Sequence, residues 1–257
     1  MYKTILSDVH HHVLTITLNR PAQLNAFTEQ MLAELTEALK SAAKNDEVRA
    51  IVITGAGRAF CSGQDLDSVH IGADYGSIVR NQYNPMIQQL SNLEKPVIAA
   101  VNGVAAGAGF SLALACDFRI VSEKASFLAA FIHVGLVPDT GLLYHLPRIV
   151  GHAKALELAI LGEKLSAVKA LELGIATKLF TEANWEEEAA RFAENIAKMP
   201  TKAIGLIKRY TVQSWEESLY EMLEKEAYAQ RIAGRTEDHR EGIAAFLEKR
   251  KACFQGK

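Results

Sequence analysis

The sequence predicts an α/β fold followed by a helical C-terminal region, and three features carry that reading. Apolar runs of strand character alternate with runs of helical period as far as about residue 180. From Asn184 onward the pattern is helical throughout. Two glycine-rich turns, beginning at Phe60 and at Asn102, each follow directly on an apolar strand, and the second leads straight into a helix.

The elements follow in order. In HVLTITLNRP, Val13, Leu14, Ile16 and Leu18 suit a strand that ends before Pro21. His10, His11 and His12 precede it. Neighbouring side chains on a strand face opposite ways, so the triplet is expected at an exposed hairpin end rather than around a metal. Met31, Leu35, Ala38, Leu39 and Ala42 then recur at helical spacing, with Thr28 as N-cap. VRAIVITG reads as a buried strand, AGRAFCSGQDLDS as a loop, IVRNQYNPMIQQLSNLEK as helix and KPVIAAV as a second buried strand. FSLALACD is read as a helix closed by Asp117, FRIVSE as a strand, and IATKLF as the last strand of the alternating part. NWEEEAARFAENIAKMP is amphipathic. Trp215, Leu219, Met222 and Leu223 are expected on one stripe of a later helix, which could cover its own core or a neighbouring subunit.

A chain of 257 residues with 49% hydrophobic content can bury a full core. Its 28 Lys and Arg against 30 Asp and Glu give a formal charge of -2, which argues against nucleic acid as a partner. The greasy run Lys95 to Asp117 is broken by glycines and Asn102, so strand, turn and buried helix describe it better than a membrane span. Cys61, Cys116 and Cys253 have no metal-like spacing and cannot all pair with one another. With no signal-peptide pattern, a cytoplasmic location is expected, and no metal site.

Backbone N–H groups at a helix start attract an anion or a polarised oxygen. Either glycine-rich turn alone signifies little, because glycine there simply permits a tight path. Neither fits the dinucleotide fingerprint or the P-loop. Taken together and in order with LNRPAQLNAF, GAGRAFCSGQDL, HVGLVPDTGLLYHLPRIVG and EGIAAFLEKRKACF, they give the chain a clear resemblance. It resembles the enoyl-CoA hydratase/isomerase superfamily, also called the crotonase family, over nearly its whole length.

The resemblance implies a spiral of ββα units over residues 1–195, with residues 196–257 as a C-terminal helical region that covers the active site and mediates assembly. It implies an acyl-CoA thioester substrate, with coenzyme A as part of that substrate and no separate cofactor. It also implies a homotrimer or a hexamer of paired trimers. The thioester oxygen would be held by the backbone N–H groups of Gln64 and Ala108. Many members have glycine at the second place, and alanine keeps the donor. Ala22, Gln23, Asn25, Ala26, Ser62, Gln64, Asp65 and Leu66 would lie along coenzyme A. Ser111, Phe131, Leu136 and Tyr144 would line the acyl pocket, walled by the loop Asp67 to Ser77.

Hydratase members carry two glutamates that activate water and deliver a proton. The matching positions here are Ser111 and Phe131, which disfavours water addition by the usual route. In the turn VPDTG this chain has Asp139 where hydratases usually have glycine. Some isomerase-type members carry an acid there, and the motifs are most similar to the ring-1,2-epoxyphenylacetyl-CoA isomerase group. A lone carboxylate in dry surroundings, supplied by Phe131, Leu136, Val137, Leu142 and Leu143, could lift a proton from one carbon and return it at another. The residues themselves leave a second reading open, in which Asp139 caps the helix of TGLLYHLP. A non-standard hydratase and a non-catalytic acyl-CoA- or RNA-binding relative are the rival functions. A dehalogenase or decarboxylase would need a further nucleophile or acid. Asp65 reads as structural, His133 and His145 as packed or surface residues, and Cys61 as unactivated.

Overall fold

The computed structural model describes residues 2–66 and 72–257. The expected pocket wall at 67–77 therefore falls partly outside the described residues.

A large sheet is built from β1 (Ile5–His10), β2 (Val13–Leu18), β3 (Ala50–Gly55), β5 (Val97–Val101), β7 (Phe118–Ser122) and β10 (Lys178–Phe180), in that spatial order. The β1–β2 pair is antiparallel and the rest run parallel. A small sheet holds β4 (Ala59–Cys61), β6 (Val104–Ala106), β8 (Ser126–Leu128) and β9 (Leu165–Ser166). The chain thus lays β3, β5 and β7 in the large sheet and the following β4, β6 and β8 in the small one, which is a spiral. The expected loop 56–68 therefore contains a strand, β4, and the turn after Asn102 contains another, β6.

The hairpin between β1 and β2 turns at His11 and His12, both at positive φ, as a two-residue turn of matching twist requires. The triplet thus lies at a hairpin end, as its position suggested. Helix α1 (Glu29–Lys44) starts where the Thr28 side chain accepts from the Met31 N–H, and it buries Met31, Leu35 and Leu39. Then come α2 (Tyr75–Ile78), a π-helical turn Val79–Tyr83 and α3 (Asn84–Asn92). All of β5 is buried, as suits a strand covered on both faces. Helix α4 (Ala108–Ala115) is buried on nearly every side. Its C-cap is Cys116. Asp117 does not close the helix: its carboxylate accepts from the Val97 N–H at 2.7 Å and pairs with Lys208 at 2.6 Å.

Helices α5 (Leu142–Val150), α6 (His152–Leu161) and α7 (Ala167–Glu172) complete the main core. On the other face of the large sheet, α8 (Trp185–Ala197) covers Val13, Ala50, Val52, Ile98 and Ile120 with Ala193, Ile196 and Ala197. Three helices follow: α9 (Thr201–Gln213), α10 (Leu219–Ala233) and α11 (Glu237–Leu247).

Helix α9 is fastened to its own core by ion pairs from Lys202 and Arg209 to Glu94 and from Lys208 to Asp117. Arg49 reaches the Met199 carbonyl at 2.8 Å and the Phe254 carbonyl at 2.7 Å, tying the chain's last residues to the same edge. The expected stripe is broken. Trp215 lies in the turn after α9, and α10 begins four residues later, capped by reciprocal Ser218–Glu221 bonds. Trp215, Leu219 and Leu223 are exposed. Among the described residues no helix is long and apolar enough to cross a membrane.

Candidate active site

The first donor loop is held by main chain on both sides of residue 64. The Phe27 N–H donates to the Gly63 carbonyl at 2.7 Å, and the Asp65 N–H donates to the Phe27 carbonyl at 3.0 Å. Asn25, fully buried, donates to the carbonyls of Ala56 and Ala59 while its own oxygen accepts from the Arg20 N–H. Arg20 pairs with Asp65 at 2.8 Å and donates to the Ala26 carbonyl. The Ser62 N–H donates to the Leu24 carbonyl at 3.1 Å. The segments 22–26 and 62–66 are therefore stitched together, with Asn25 and Asp65 engaged in these internal bonds. Ala22, Gln23 and Leu66 are exposed.

The second donor loop comes off β6 into α4. Gly107 is at φ 51 and its N–H donates to the Leu128 carbonyl at 2.9 Å. Ala108 is the first residue of α4, so its N–H has no acceptor inside the helix and sits at the positive end of the dipole. The two loops meet backbone to backbone. A side-chain carbon built at Gly63 would stand 3.0 Å from the Ala106 oxygen and 3.5 Å from the Ala108 nitrogen. One at Gly109 would stand 2.3 Å from the Cys61 oxygen, so no side chain fits there. Cys61 is buried and its thiol is pushed up to about 12, which keeps it protonated and unreactive.

Asp139 lies on the turn just before α5. Its backbone oxygen accepts from the Ser111 hydroxyl at 3.0 Å, and Ser111 is one helical turn along α4 from Ala108. This bond ties the Asp139 main chain to α4, three residues along from Ala108. Its carboxylate accepts from the Thr140 hydroxyl at 2.7 Å. Thr140 is 2% exposed and held at φ 56, a conformation costly for a β-branched residue. Burial raises the Asp139 pKa above the ordinary carboxylate range, and the Thr140 bond partly opposes the rise.

The capping alternative for Asp139 does not hold. The N-cap of α5 is Gly141, with no side-chain cap, and the Asp139 carboxylate turns to Thr140 instead. Ser111, in the place of a hydratase glutamate, is fully buried and spent on the Gly107 and Asp139 carbonyls. Phe131 is buried, and its ring tip is 4.0 Å from where a Gly107 side chain would begin. Leu142 is buried and Leu136 half-buried. Val137 and Leu143, expected to help dry the acid, are 71% and 51% exposed and do not. They alternate out of a turn and the first turn of an amphipathic helix whose other side faces the core. Tyr144 carries the Arg148 guanidinium 3.7 Å above its ring. His145 is lowered to about 4 by burial and by Arg119 and Arg148, so it is neutral at physiological pH.

One group escaped sequence reasoning. Tyr83, 2% exposed, donates its hydroxyl to the Gln64 side-chain oxygen. A cleft of about 760 Å3 opens beside Gln64 between Arg20, Thr28, Ile78 and Gln82. A larger cleft, about 1080 Å3, lies across the large sheet under α8, lined by Thr15, Thr54, Asn102 and Lys124. It includes neither donor loop nor acid.

The family model described as enoyl-CoA hydratase/isomerase matches residues 8–257. The 1,2-epoxyphenylacetyl-CoA isomerase of Escherichia coli (strain K12) is 44% identical over the whole of both chains. A protein of Rhodobacter capsulatus named "Probable enoyl-CoA hydratase" is 40% identical over all of this chain and 99% of its own. The crystal structure of enoyl-CoA hydratase from Bacillus anthracis superposes with a TM-score of 0.92 at 34% identity, over 99% of this chain and 100% of that one.

Proposed function

The chain belongs to the enoyl-CoA hydratase/isomerase family, and from that footing we propose that it isomerises an acyl-CoA thioester with Asp139 as its acid/base. The observation that carries this reading is the substitution of chemistry around α4. Where a hydratase would place glutamates, Ser111 is committed to positioning the Asp139 turn and Phe131 cannot carry a proton. On the turn that Ser111 holds, Asp139 is a half-buried carboxylate whose pKa burial raises.

In this reading the thioester carbonyl oxygen rests on the N–H groups of Gln64 and Ala108. The Asp139 carboxylate takes a proton from a carbon activated by the thioester. The electron pair of the broken C–H bond moves into the carbonyl, giving an enolate whose charge the two donors stabilise without rearranging. The new carboxylic acid returns the proton at a different carbon, so the hydrogen count is unchanged and a double bond has moved. With a ring epoxide beside the thioester, the same proton shuttle accompanies ring rearrangement. Burial helps twice, since a raised pKa makes the carboxylate a stronger base and then a usable acid near neutrality.

Coenzyme A takes part here as a portion of the substrate, lying along the stitched wall 22–26 and 62–66. No separate cofactor enters the scheme. Exposed Leu219, Tyr220, Leu223, Phe246 and Leu247 on α10 and α11 support assembly into a trimer or a pair of trimers, which light scattering would test. The three cysteines are free thiols, in keeping with a reducing cytoplasm.

The deciding experiment compares 3-enoyl-CoA and ring-epoxide phenylacetyl-CoA with crotonyl-CoA. Isomerised products from the first two are expected, with slow loss of the conjugated absorbance of the third. Rapid hydration of crotonyl-CoA without isomerisation would replace this reading with the hydratase one.

A further inference from the structure

We propose that Tyr83 is a positioning residue for this reaction, holding the residue-64 donor in place through its hydrogen bond to the Gln64 side chain. The inference rests on the oxyanion reading above and adds to it a group outside the donor loops and the acid turn.

Four observations converge on Tyr83. It closes the π-helical turn Val79–Tyr83, a distortion that recurs at functional sites. Its ring meets Phe27 edge-on, with centroids 5.9 Å apart and planes at 86°. Phe27 is the residue whose main chain brackets Gln64 through Gly63 and Asp65. The phenol hydroxyl donates to the Gln64 side-chain oxygen. Residue 64 is thus gripped by main chain at Phe27 and by side chain at Tyr83, and the two gripping residues pack on each other.

The direction of titration says which role the phenol can take. Its pKa is pushed above the usual value, first by burial and then by the Asp139 carboxylate and the Cys61 thiol. A phenol held neutral, with its proton directed at an amide oxygen, is not a base. It is an uncharged strut against the donor loop, seated between Phe27 and the Gln64 side chain. A donor displaced by a fraction of an ångström loses much of its value to the enolate, which is why such a strut affects turnover more than binding.

The test uses phenylacetyl-CoA with an isotope-labelled carbonyl as the probe. Two readouts are taken: deuterium uptake at the carbon next to the thioester in heavy water, and the infrared stretch of the bound carbonyl. Tyr83→Phe keeps the ring against Phe27 and removes the hydroxyl. Gln64→Met keeps the backbone donor and removes the amide. Each is expected to lower the exchange rate about 10- to 100-fold with KM nearly unchanged, and to return the carbonyl stretch toward its free frequency. The double variant is expected to be no worse than Gln64→Met alone, because the bond that Tyr83→Phe removes is then already gone. Should Tyr83→Phe fail to fold, Gln64→Met alone carries the same expectation. Wild-type exchange and stretch in the variants, or fully additive losses, would overturn the inference while leaving the functional reading intact. A wild-type enzyme that neither exchanges the proton nor polarises the carbonyl would overturn both.

Discussion

The donor arm and the acid arm of this site are built from different material. The donor arm is main chain: Gly63 and Gly107 touch across two loops, and the N–H groups of residues 64 and 108 are delivered by strand ends and a helix start. The acid arm is one side chain on a strained turn, kept in place by Ser111 from behind and by Thr140 alongside. Main-chain donors survive a change of side chain, so Ala108 can stand where many relatives have glycine. A side-chain acid survives nothing of the kind. In the proposed reading the donor arm stabilises a carbonyl oxygen and the acid arm moves the proton.

The largest effect expected from that contrast is at Asp139. Asp139→Asn keeps the shape and can still accept from Thr140, but it cannot take a proton. Turnover of an isomerisable acyl-CoA should fall about 100- to 10,000-fold while binding of the thioester persists. Retained turnover would mean that another group carries the proton, and the contrast would collapse. Next is Ala108→Pro. Proline suits the first position of a helix; it removes the N–H and puts a ring carbon where the hydrogen pointed. A loss of about 100- to 1,000-fold, mostly in kcat, is expected.

Both positions stand out in the sequence because each sits in a long ordered motif, and the structure ties their segments together through Ser111. Much else was not legible in the sequence. Strand β1 buries Ile5 alone, so it shows no alternation to read. The small sheet is made of strands of two or three residues, too short for any period, and it is assembled by pairing across the spiral. Yet this sheet is what brings the two donor loops together. Tyr83 lies far from Gln64 and farther from Asp139 in the chain, and a tyrosine in an amphipathic helix reads as core. Val137 and Leu143 fail for the opposite reason. Apolar composition does not fix burial, because the direction of a side chain from a turn depends on dihedral angles that composition does not report. At Asp139 the motif points to the residue, and the structure removes the capping reading. Gly141, not Asp139, occupies the cap.

A subtler effect concerns Thr140. Its hydroxyl donates to the Asp139 carboxylate and favours the charged form, opposing the rise caused by burial. Thr140→Val removes that bond with little change of shape, so the Asp139 pKa should climb further. Because the base must be ionised to act, the acid limb of the kcat/KM profile should move to higher pH in the variant. In the wild type that limb should already lie above the ordinary carboxylate value. A limb that stays in place, or moves down, would separate Thr140 from the acid arm.

The same burial has a consequence for stability, with the opposite sign to activity. A carboxyl whose folded pKa exceeds its unfolded one favours the fold at pH values below the unfolded pKa. That contribution is lost as pH rises through the folded pKa. At neutral pH the ionised Asp139 is therefore a small burden on the fold. Asp139→Asn should raise Tm slightly near pH 7, and the gain should shrink as pH falls through the native pKa. Thermal scans at several pH values would read this.

The smallest expected effect is the most discriminating for the donor arm. Ala108→Gly keeps the N–H, restores the residue that many relatives have, and removes one methyl. If the donor is purely main chain, turnover should change by no more than a few-fold. The loss of helix propensity at Ala108, at most about 1 kcal/mol, should appear in stability alone. The methyl has one route to a larger effect, by narrowing the space beside the carbonyl. A KM that falls for bulky acyl groups but not for small ones would assign Ala108 a part in substrate choice. In that case the donor arm would also select through a side chain, and the division between a main-chain arm that stabilises and a side-chain arm that decides would need redrawing at this one residue.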